Sequence, residues 1–152
     1  MMNALTGAKE KRIMVVEDDR GINRLICYNL SKNGFNPEPV YDGLEAQSKL
    51  SKEVFDIVIL DIMLPGVDGF SICKAIKDNP AAFKTFVVML TARAESLDMI
   101  YGNLVGADYY LTKPFSVGKL MDIIGELITM RGKNYVVYAH DLGCGHMRGK
   151  ED

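Results

Sequence analysis

The chain of 152 residues predicts an α/β fold: a doubly wound, five-stranded parallel sheet with helices on both faces. Short apolar runs and helix-length segments alternate five times, which favours a parallel sheet with right-handed crossovers. The runs are almost continuously apolar, as is typical of strands buried on both faces. In addition, charged or hydroxyl side chains directly follow four of the runs, where ligands bind in open α/β sheets.

The first strand is the run Ile13 to Val16, and the helix after it begins at Asp18 or Asp19, either of which can cap it. Gly34 lies where the C-terminal cap of this helix requires a residue in the left-handed conformation. The inward stripe of this helix is Ile22, Leu25, Ile26 and Leu30.

The second strand, Pro37 to Tyr41, contains two prolines, which cannot donate ladder hydrogen bonds. We therefore expect this strand at an edge of the sheet. A helix from about Gly43 to Lys52 follows it, with Leu44 and Leu50 facing inward.

The third run, Phe55 to Leu60, is the most apolar and predicts a central strand. A turn-rich segment from Leu64 to Gly69 leads to a helix that is stopped by Asn79 and Pro80. The apolar residues of this helix are Phe70, Ile72, Cys73 and Ile76.

The fourth strand is Thr85 to Leu90, and the fourth helix, Glu95 to about Val105, is marginal by propensity because Gly102 lies inside it. The fifth strand is Asp108 to Thr112, and the fifth helix is Ser116 to about Met130. The stripe of this last helix is Val117, Leu120, Met121, Ile124, Leu127 and Ile128.

Composition limits the functional classes. The net charge is −2 and no basic cluster appears, which argues against direct binding of nucleic acid. No apolar stretch approaches the roughly 20 residues of a membrane span, and Met1 to Arg12 lacks the apolar centre of a signal peptide. The three scattered cysteines fit a reducing cytoplasm. They are Cys27, Cys73 and Cys144.

Five polar side chains are expected to meet at the carboxyl edge of the sheet. They are Glu17, Asp18, Asp61, Thr91 and Lys113. Singly, an acidic pair after a strand is more often a helix cap and a Lys-Pro pair more often a loop. All of them together at the ends of strands are much harder to assign to capping.

Three carboxylates in close proximity repel each other unless a cation lies among them. Mg²⁺ typically takes one or two carboxylates, a carbonyl and several waters. We expect Asp18 and Asp61 as direct ligands, the backbone carbonyl of Met63 as a third, and Glu17 acting through water.

A carboxylate beside such an ion is also a nucleophile toward phosphorus, forming an acyl phosphate. Lys113 would neutralise one phosphoryl oxygen, and the Thr91 hydroxyl would donate a hydrogen bond to another.

Four sequence blocks resemble the receiver domain of two-component response regulators, a CheY-like superfamily. The blocks are Val15 to Asp19, Val58 to Gly69, Leu90 to Ala92, and Gly106 to Phe115. The match runs from about Arg12 to Met130, so residues 12–131 are expected to form the receiver domain. The resemblance implies the flavodoxin-like strand order 2-1-3-4-5.

The resemblance implies that Asp61 is the phosphoacceptor for a histidine kinase or phosphotransfer protein, with Mg²⁺ (or Mn²⁺) bound by the acidic residues. The chain would then be a signalling domain, not an enzyme, with only intrinsic self-phosphorylation and autodephosphorylation. Thr91 and Tyr110 would form the switch pair, with the Tyr110 ring rotating inward. The Lys113–Pro114 bond is expected to be cis.

The implied output face consists of the fourth helix, the fifth strand and the fifth helix. We expect an apolar patch there from Met99, Tyr109 and Ile123, with scattered exposed apolar residues as the alternative. The charged ladder by which the transcription-factor subfamily dimerises is largely missing, because Tyr109, Lys119 and Ile123 occupy its positions. An apolar face would still allow a homodimer.

Met63 and Arg93 flank the pocket where family members tune hydrolysis of the acyl phosphate. Met63 cannot orient a water molecule, and Arg93 would shield or pair with the phosphoryl group. We therefore expect slower loss of phosphate than from a variant with Asn at position 63.

The ends of the chain carry less information. Residues 1–11 are expected to be flexible, and residues 132–152 to be a C-terminal tail, disordered or loosely docked, or a truncated linker. His140, Cys144 and His146 lack a fourth ligand and a scaffold for a metal site. The run Tyr135 to Tyr138 leaves an added edge strand open as an alternative.

Two other functions remain as alternatives. A phosphatase that uses an aspartyl phosphate would need a second acid two residues after its nucleophile, where this chain has Met63. A phosphate-independent scaffold would not need all five pocket residues.

Overall fold

The computed structural model describes residues 10–82, 84–92 and 105–129, and the backbone of 135–139 and 145–149. The helices, numbered in chain order, are α1 (Arg20–Lys32), α2 (Gly43–Leu50), α3 (Gly69–Asp78) and α4 (Val117–Thr129). The strands are β1 (Arg12–Val16), β2 (Asn36–Val40), β3 (Ile57–Asp61), β4 (Phe86–Thr91), β5 (Tyr109–Thr112), β6 (Tyr135–Ala139) and β7 (Gly145–Gly149).

The predicted order is confirmed: β2-β1-β3-β4-β5, with all five strands parallel. Helix α4 is the helix predicted as the fifth. The fourth predicted helix falls mostly on residues 93–104, which lie outside the described residues, as do residues 1–9.

The sheet continues beyond β5. Strand β6 runs parallel to β5, with Tyr109 opposite Val137 and Tyr110 opposite Tyr138, and β7 runs antiparallel to β6. The run Tyr135 to Tyr138 therefore lies in a strand, which is the alternative that the sequence left open. His140 and Cys144 lie outside the described residues, and only the backbone of His146 is described.

The edge position of β2 is confirmed, and its two prolines face away from β1. The amide of Asn36 donates to the carbonyl of Lys11 at 2.8 Å, and the amide of Glu17 donates to the carbonyl of Val40 at 3.0 Å. Because successive residues of a strand point their backbone groups to opposite sides, Pro37 and Pro39 lack only donors that would face outward.

The core consists of two layers, one on each side of the sheet. Alternate residues of each strand enter opposite layers, as strand geometry requires. One layer packs beneath α1 and α4 and includes Ile13, Val15, Ile57, Ile59, Val88 and Leu90. The other packs beneath α2 and α3 and includes Met14, Val16, Val58, Leu60, Val87 and Met89.

Three aspartates cap the helices that follow strands or turns. Asp19 accepts from the amide of Ile22, Asp42 from that of Glu45, and Asp68 from that of Phe70, at 3.0, 2.8 and 3.0 Å. The capping residue of α1 is therefore Asp19, which leaves Asp18 available to the pocket.

Some side-chain placements expected from periodicity were wrong. Leu25 and Leu44 are 51% and 65% exposed, and Ala46 instead fills the inward position of the short helix α2.

Tyr109 and Ile123 are buried in the layer beneath α1 and α4, so they form no exposed patch. The inward face of α4 is wider than the predicted stripe, because Ile123 shares a helix face with Leu120 and Leu127. Met99 lies outside the described residues.

A glycine at the start of α3 sets how closely this helix approaches β3. A Cβ atom on Gly69 would lie 2.9 Å from the carbonyl oxygen of Asp61 and from the Cα of Ile62. We expect Gly69→Ala to lower the free energy of unfolding by about 1–3 kcal/mol because backbone must shift. Gly125→Ala on α4 meets nothing within 4 Å and should raise it by about 0.5–1 kcal/mol.

Urea unfolding followed by far-ultraviolet circular dichroism measures both variants. Equal unfolding free energies for Gly69→Ala and the unaltered chain would contradict the close approach of α3 to β3.

Candidate functional site

The carboxylate of Glu17 stands at the end of β1 and is almost fully buried, with 1% of the residue exposed. Its Oε2 accepts a hydrogen bond from the amide of Asp19 at 3.1 Å. The backbone of Glu17 is held to β2 by its hydrogen bond to Val40. The acidic group is thus held in place by the strand behind it and the helix start in front of it.

Asp61 is the last residue of β3 and is 3% exposed. Its Oδ1 accepts from the amide of Met63 at 3.0 Å, which leaves Oδ2 directed to other partners. The side chain of Met63 itself is 73% exposed.

Lys113 follows β5 and reaches back across the sheet edge. Its Nζ donates to Oε1 of Glu17 at 2.8 Å and to Oδ2 of Asp61 at 2.9 Å. The Lys113–Pro114 bond is cis, as the resemblance implied, and the amide of Lys113 donates to the carbonyl of Thr91 at 2.7 Å. One ammonium group therefore joins the ends of β1, β3 and β5.

The predicted convergence of the three acids is present. Glu17, Asp18 and Asp61 each offer a carboxylate oxygen, and the three atoms lie within 4.8 Å of one another. Asp18 is exposed, whereas the other two residues are buried. When all three carboxylates are ionised, they exceed the one ammonium by two negative charges, so the donor set fits a divalent, oxygen-preferring cation.

Burial controls the electrostatics of this cluster. Desolvation raises the pKa of Glu17 to about 7, although the hydrogen bond from Lys113 partly opposes the rise. For Lys113, burial lowers the pKa, but the hydrogen bonds to Glu17 and Asp61 outweigh it and hold the pKa above its usual value. Lys113 thus stays charged, while Glu17 is an acid that a bound cation would favour in its ionised form.

The two residues predicted as a switch are both buried. Thr91 ends β4 and is 3% exposed, and Tyr110 on β5 is 1% exposed and packs in the layer beneath α2 and α3. The ring of Tyr110 therefore lies inward in this structure. Arg93 lies outside the described residues.

Asn23 is a buried polar residue next to the pocket that the sequence analysis missed. It is 0% exposed, and its Nδ2 lies 3.0–3.1 Å from the carbonyl oxygens of Val15, Glu17 and Val40. A signal was present in the sequence, because Asn23 precedes Ile26 and Leu30 by three and seven residues on the inward face of α1.

The family follows from the sequence match together with this geometry. The sequence-family model of the response regulator receiver domain matches residues 13–125. The chain belongs to the response regulator receiver domain family, whose members act as phosphorylation-controlled signalling domains of two-component systems. The acidic cluster of Glu17, Asp18 and Asp61 fits the phosphoacceptor site of such a domain.

Two curated relatives and one solved structure illustrate the match. The phosphate regulon transcriptional regulatory protein PhoB of Rhizobium meliloti is 40% identical over 134 residues, which cover 88% of this chain and 58% of PhoB. The alkaline phosphatase synthesis transcriptional regulatory protein PhoP of Bacillus subtilis is 42% identical over 106 residues, or 70% of this chain and 43% of PhoP. The chain thus spans about half the length of these relatives.

The chemotaxis response regulator CheY4 of Vibrio cholerae superimposes with a TM-score of 0.74 at 28% identity, over 78% of this chain and 99% of CheY4. Separately, none of the helices within the described ranges combines the length and apolarity needed to cross a bilayer.

The raised pKa of Glu17 predicts how stability depends on pH without a divalent cation. The folded state holds a proton that the unfolded state releases near pH 4.5, so stability is lost as pH rises from there through about 7. Glu17→Gln lacks this titration. In EDTA we expect it to match the unaltered chain near pH 4 and to exceed its unfolding free energy by about 3 kcal/mol at pH 8.

Urea unfolding at pH values from 4 to 8 measures the difference. Asp122→Asn, at an exposed position on α4, serves as the control for removal of a carboxylate. A constant difference between Glu17→Gln and the unaltered chain across this range would refute the raised pKa of Glu17.

Proposed function

We propose that Asp61 accepts a phosphoryl group from a histidine kinase or a phosphotransfer protein, and that the modification controls an output partner. The observation that carries this proposal is the position of Oδ2 of Asp61. It lies 2.9 Å from the ammonium of Lys113, and the carboxylate of Asp61 also belongs to the cluster with Glu17 and Asp18. A nucleophile, a fixed positive charge and a set of metal ligands thus meet at one edge of the sheet.

The proposed metal is Mg²⁺, or Mn²⁺ in its place, held by Asp18, Asp61 and the backbone carbonyl of Met63, with Glu17 acting through water. The donor set of hard oxygen atoms supports this assignment. When bound, the ion supplies positive charge against the phosphoryl oxygens.

The proposed transfer replaces a bond from phosphorus to nitrogen with a bond from phosphorus to oxygen. A carboxylate oxygen of Asp61 attacks phosphorus, the bond from phosphorus to the donor's histidine nitrogen breaks, and an acyl phosphate forms on Asp61. The ammonium of Lys113 then neutralises a phosphoryl oxygen, and the hydroxyl of Thr91 donates a hydrogen bond to another. Intrinsic self-phosphorylation from small donors and autodephosphorylation use the same groups.

Thr91 and Tyr110 are proposed to transmit the change to the output face, formed by the fourth predicted helix, β5 and α4. The support is positional. Thr91 ends the strand that pairs with β5, and Tyr110 packs in the same core layer as Met89, its neighbour on that strand. Movement of Thr91 toward a phosphoryl group would change the packing around the Tyr110 ring. Self-association through the output face is a second use of that surface.

An apolar groove beside the pocket suits the proposed donor protein. It has a volume of about 280 Å³, and its lining includes Ile22, Leu25, Pro114 and Phe115 together with Lys113. Leu25 is half exposed there, so a partner could bury it while presenting a phosphohistidine to Asp61. The kinase, the output partner and the cytoplasmic location are all parts of this proposal.

The two alternative functions have weaker support. A phosphatase of the aspartyl-phosphate class would place an acid where Met63 exposes its side chain to solvent. A phosphate-independent scaffold would gain nothing from three converging carboxylates, which cost folding free energy in the absence of a cation.

Beryllofluoride, a mimic of the phosphoryl group, tests phosphoacceptance directly. With Mg²⁺ present we expect amide NMR shifts that spread from Asp61 to Thr91 and Tyr110, because the switch pair repacks. Asp61→Asn should show none of these shifts. An unchanged spectrum of the unaltered chain in Mg²⁺ and beryllofluoride would refute the proposal in favour of the scaffold.

Met63 is proposed to slow hydrolysis of the acyl phosphate, because its exposed thioether chain cannot orient an attacking water. We expect Met63→Asn to lose phosphate several-fold faster than the unaltered chain, an increase of about 1 kcal/mol or less in transition-state stabilisation. Decay of the label after phosphorylation with radioactive phosphate measures this rate. Met63→Leu is the matched control, and equal decay of all three proteins would count against the role of Met63.

A further inference from the structure

Asn23 connects three backbone carbonyl groups at the carboxyl edge of β1 and β2. Its Nδ2 lies 3.0 Å from the oxygen of Val15 and 3.1 Å from those of Glu17 and Val40, all within the fully buried space beneath α1. The oxygen of Val40 also accepts from the amide of Glu17. One side chain on a helix therefore holds the ends of two strands together.

The backbone of Asn23 also takes part in hydrogen bonding to the acidic segment, residues 17–19. The amide of Asn23 donates to the carbonyl of Asp19 at 2.9 Å, and the amide of Asp19 donates to the carboxylate of Glu17 at 3.1 Å. Residues 17–19 are thus held by the side chain of Asn23 on one side and by its backbone on the other. Asp18, the exposed member of the acidic cluster, lies between these two attachments.

We propose that Asn23 is a positioning residue for the divalent cation: its side-chain amide holds the backbone carbonyl of Glu17, next to Asp18, so that the carboxylates of Glu17 and Asp18 meet that of Asp61. The inference rests on the proposed function, because it assigns the cation to this cluster. Removal of residues that hydrogen-bond to metal ligands and orient them commonly lowers metal affinity 10- to 100-fold. Asn23 orients its ligands through their backbone.

Thr85 offers a matched control for the loss of a buried hydrogen bond. Its hydroxyl donates to the carbonyl of Phe55 at 2.7 Å, and the residue is 2% exposed. Thr85 precedes β4 at the opposite edge of the sheet from the acidic cluster. Its loss should therefore affect folding without affecting the cation.

The experiment titrates Mg²⁺ into the full chain, into Asn23→Ala and into Thr85→Val, and follows the amide NMR shifts of the folded protein. We expect Asn23→Ala to raise the dissociation constant for Mg²⁺ about tenfold. Thr85→Val should change that constant less than twofold. Urea unfolding of the same proteins should show that both variants lose stability. In an Asp18→Asn background, Asn23→Ala should weaken Mg²⁺ binding much less than it does in the unaltered chain.

Equal Mg²⁺ affinity in Asn23→Ala and the unaltered chain, with reduced stability, would overturn the positioning role and leave Asn23 as a structural residue. Asn23→Ser keeps one donor hydrogen and should bind Mg²⁺ with intermediate affinity. If the alanine variant does not fold, the comparison of Asn23→Ser with Thr85→Val decides the question in the same way. Failure of the unaltered chain to bind beryllofluoride would instead refute phosphoacceptance, and it would leave the Mg²⁺ comparison readable.

Discussion

Lys113 places one ammonium group between the buried carboxylates of Glu17 and Asp61, at nitrogen–oxygen distances of 2.8 and 2.9 Å. Two buried acids side by side are costly unless a positive charge compensates them. In the proposed function, a phosphoryl group on Asp61 would offer the same ammonium new oxygen atoms. The ammonium therefore stabilises the two acids in this structure and is the positive charge that the proposal assigns to the phosphoryl group.

The parallel sheet makes this interaction possible. Glu17, Asp61 and Lys113 are separated by 44 and 52 residues along the chain, yet each stands at the carboxyl end of a strand. The strand register brings these ends level with one another, because β1, β3 and β4 pair over most of their lengths and end together. The side chains of these strands fill core layers on both sides, so a shift of one strand would move buried groups to the wrong face.

The three consecutive acids after β1 have different surroundings. Glu17 is buried against Lys113, Asp18 is exposed at the cluster, and Asp19 caps α1 through the amide of Ile22. Negative charge is favoured at the start of a helix, so the helix supports the acidic segment as a whole. The amide of Asn23 links this helix to the strands and joins the geometry of the cap to that of the cluster.

The sequence by itself determined the α/β class, the strand order β2-β1-β3-β4-β5, the edge position of β2 and the convergence of Glu17, Asp18, Asp61 and Lys113. These features depend on local periodicity and on which residue ends each strand, and both can be read from neighbouring positions. Only the tertiary structure decided that Asp19 caps α1, that Leu25 and Leu44 are exposed and that Tyr109 and Ile123 are buried. It also revealed the contacts of Asn23. Periodicity identifies the face of an element, whereas burial depends on which distant elements cover that face.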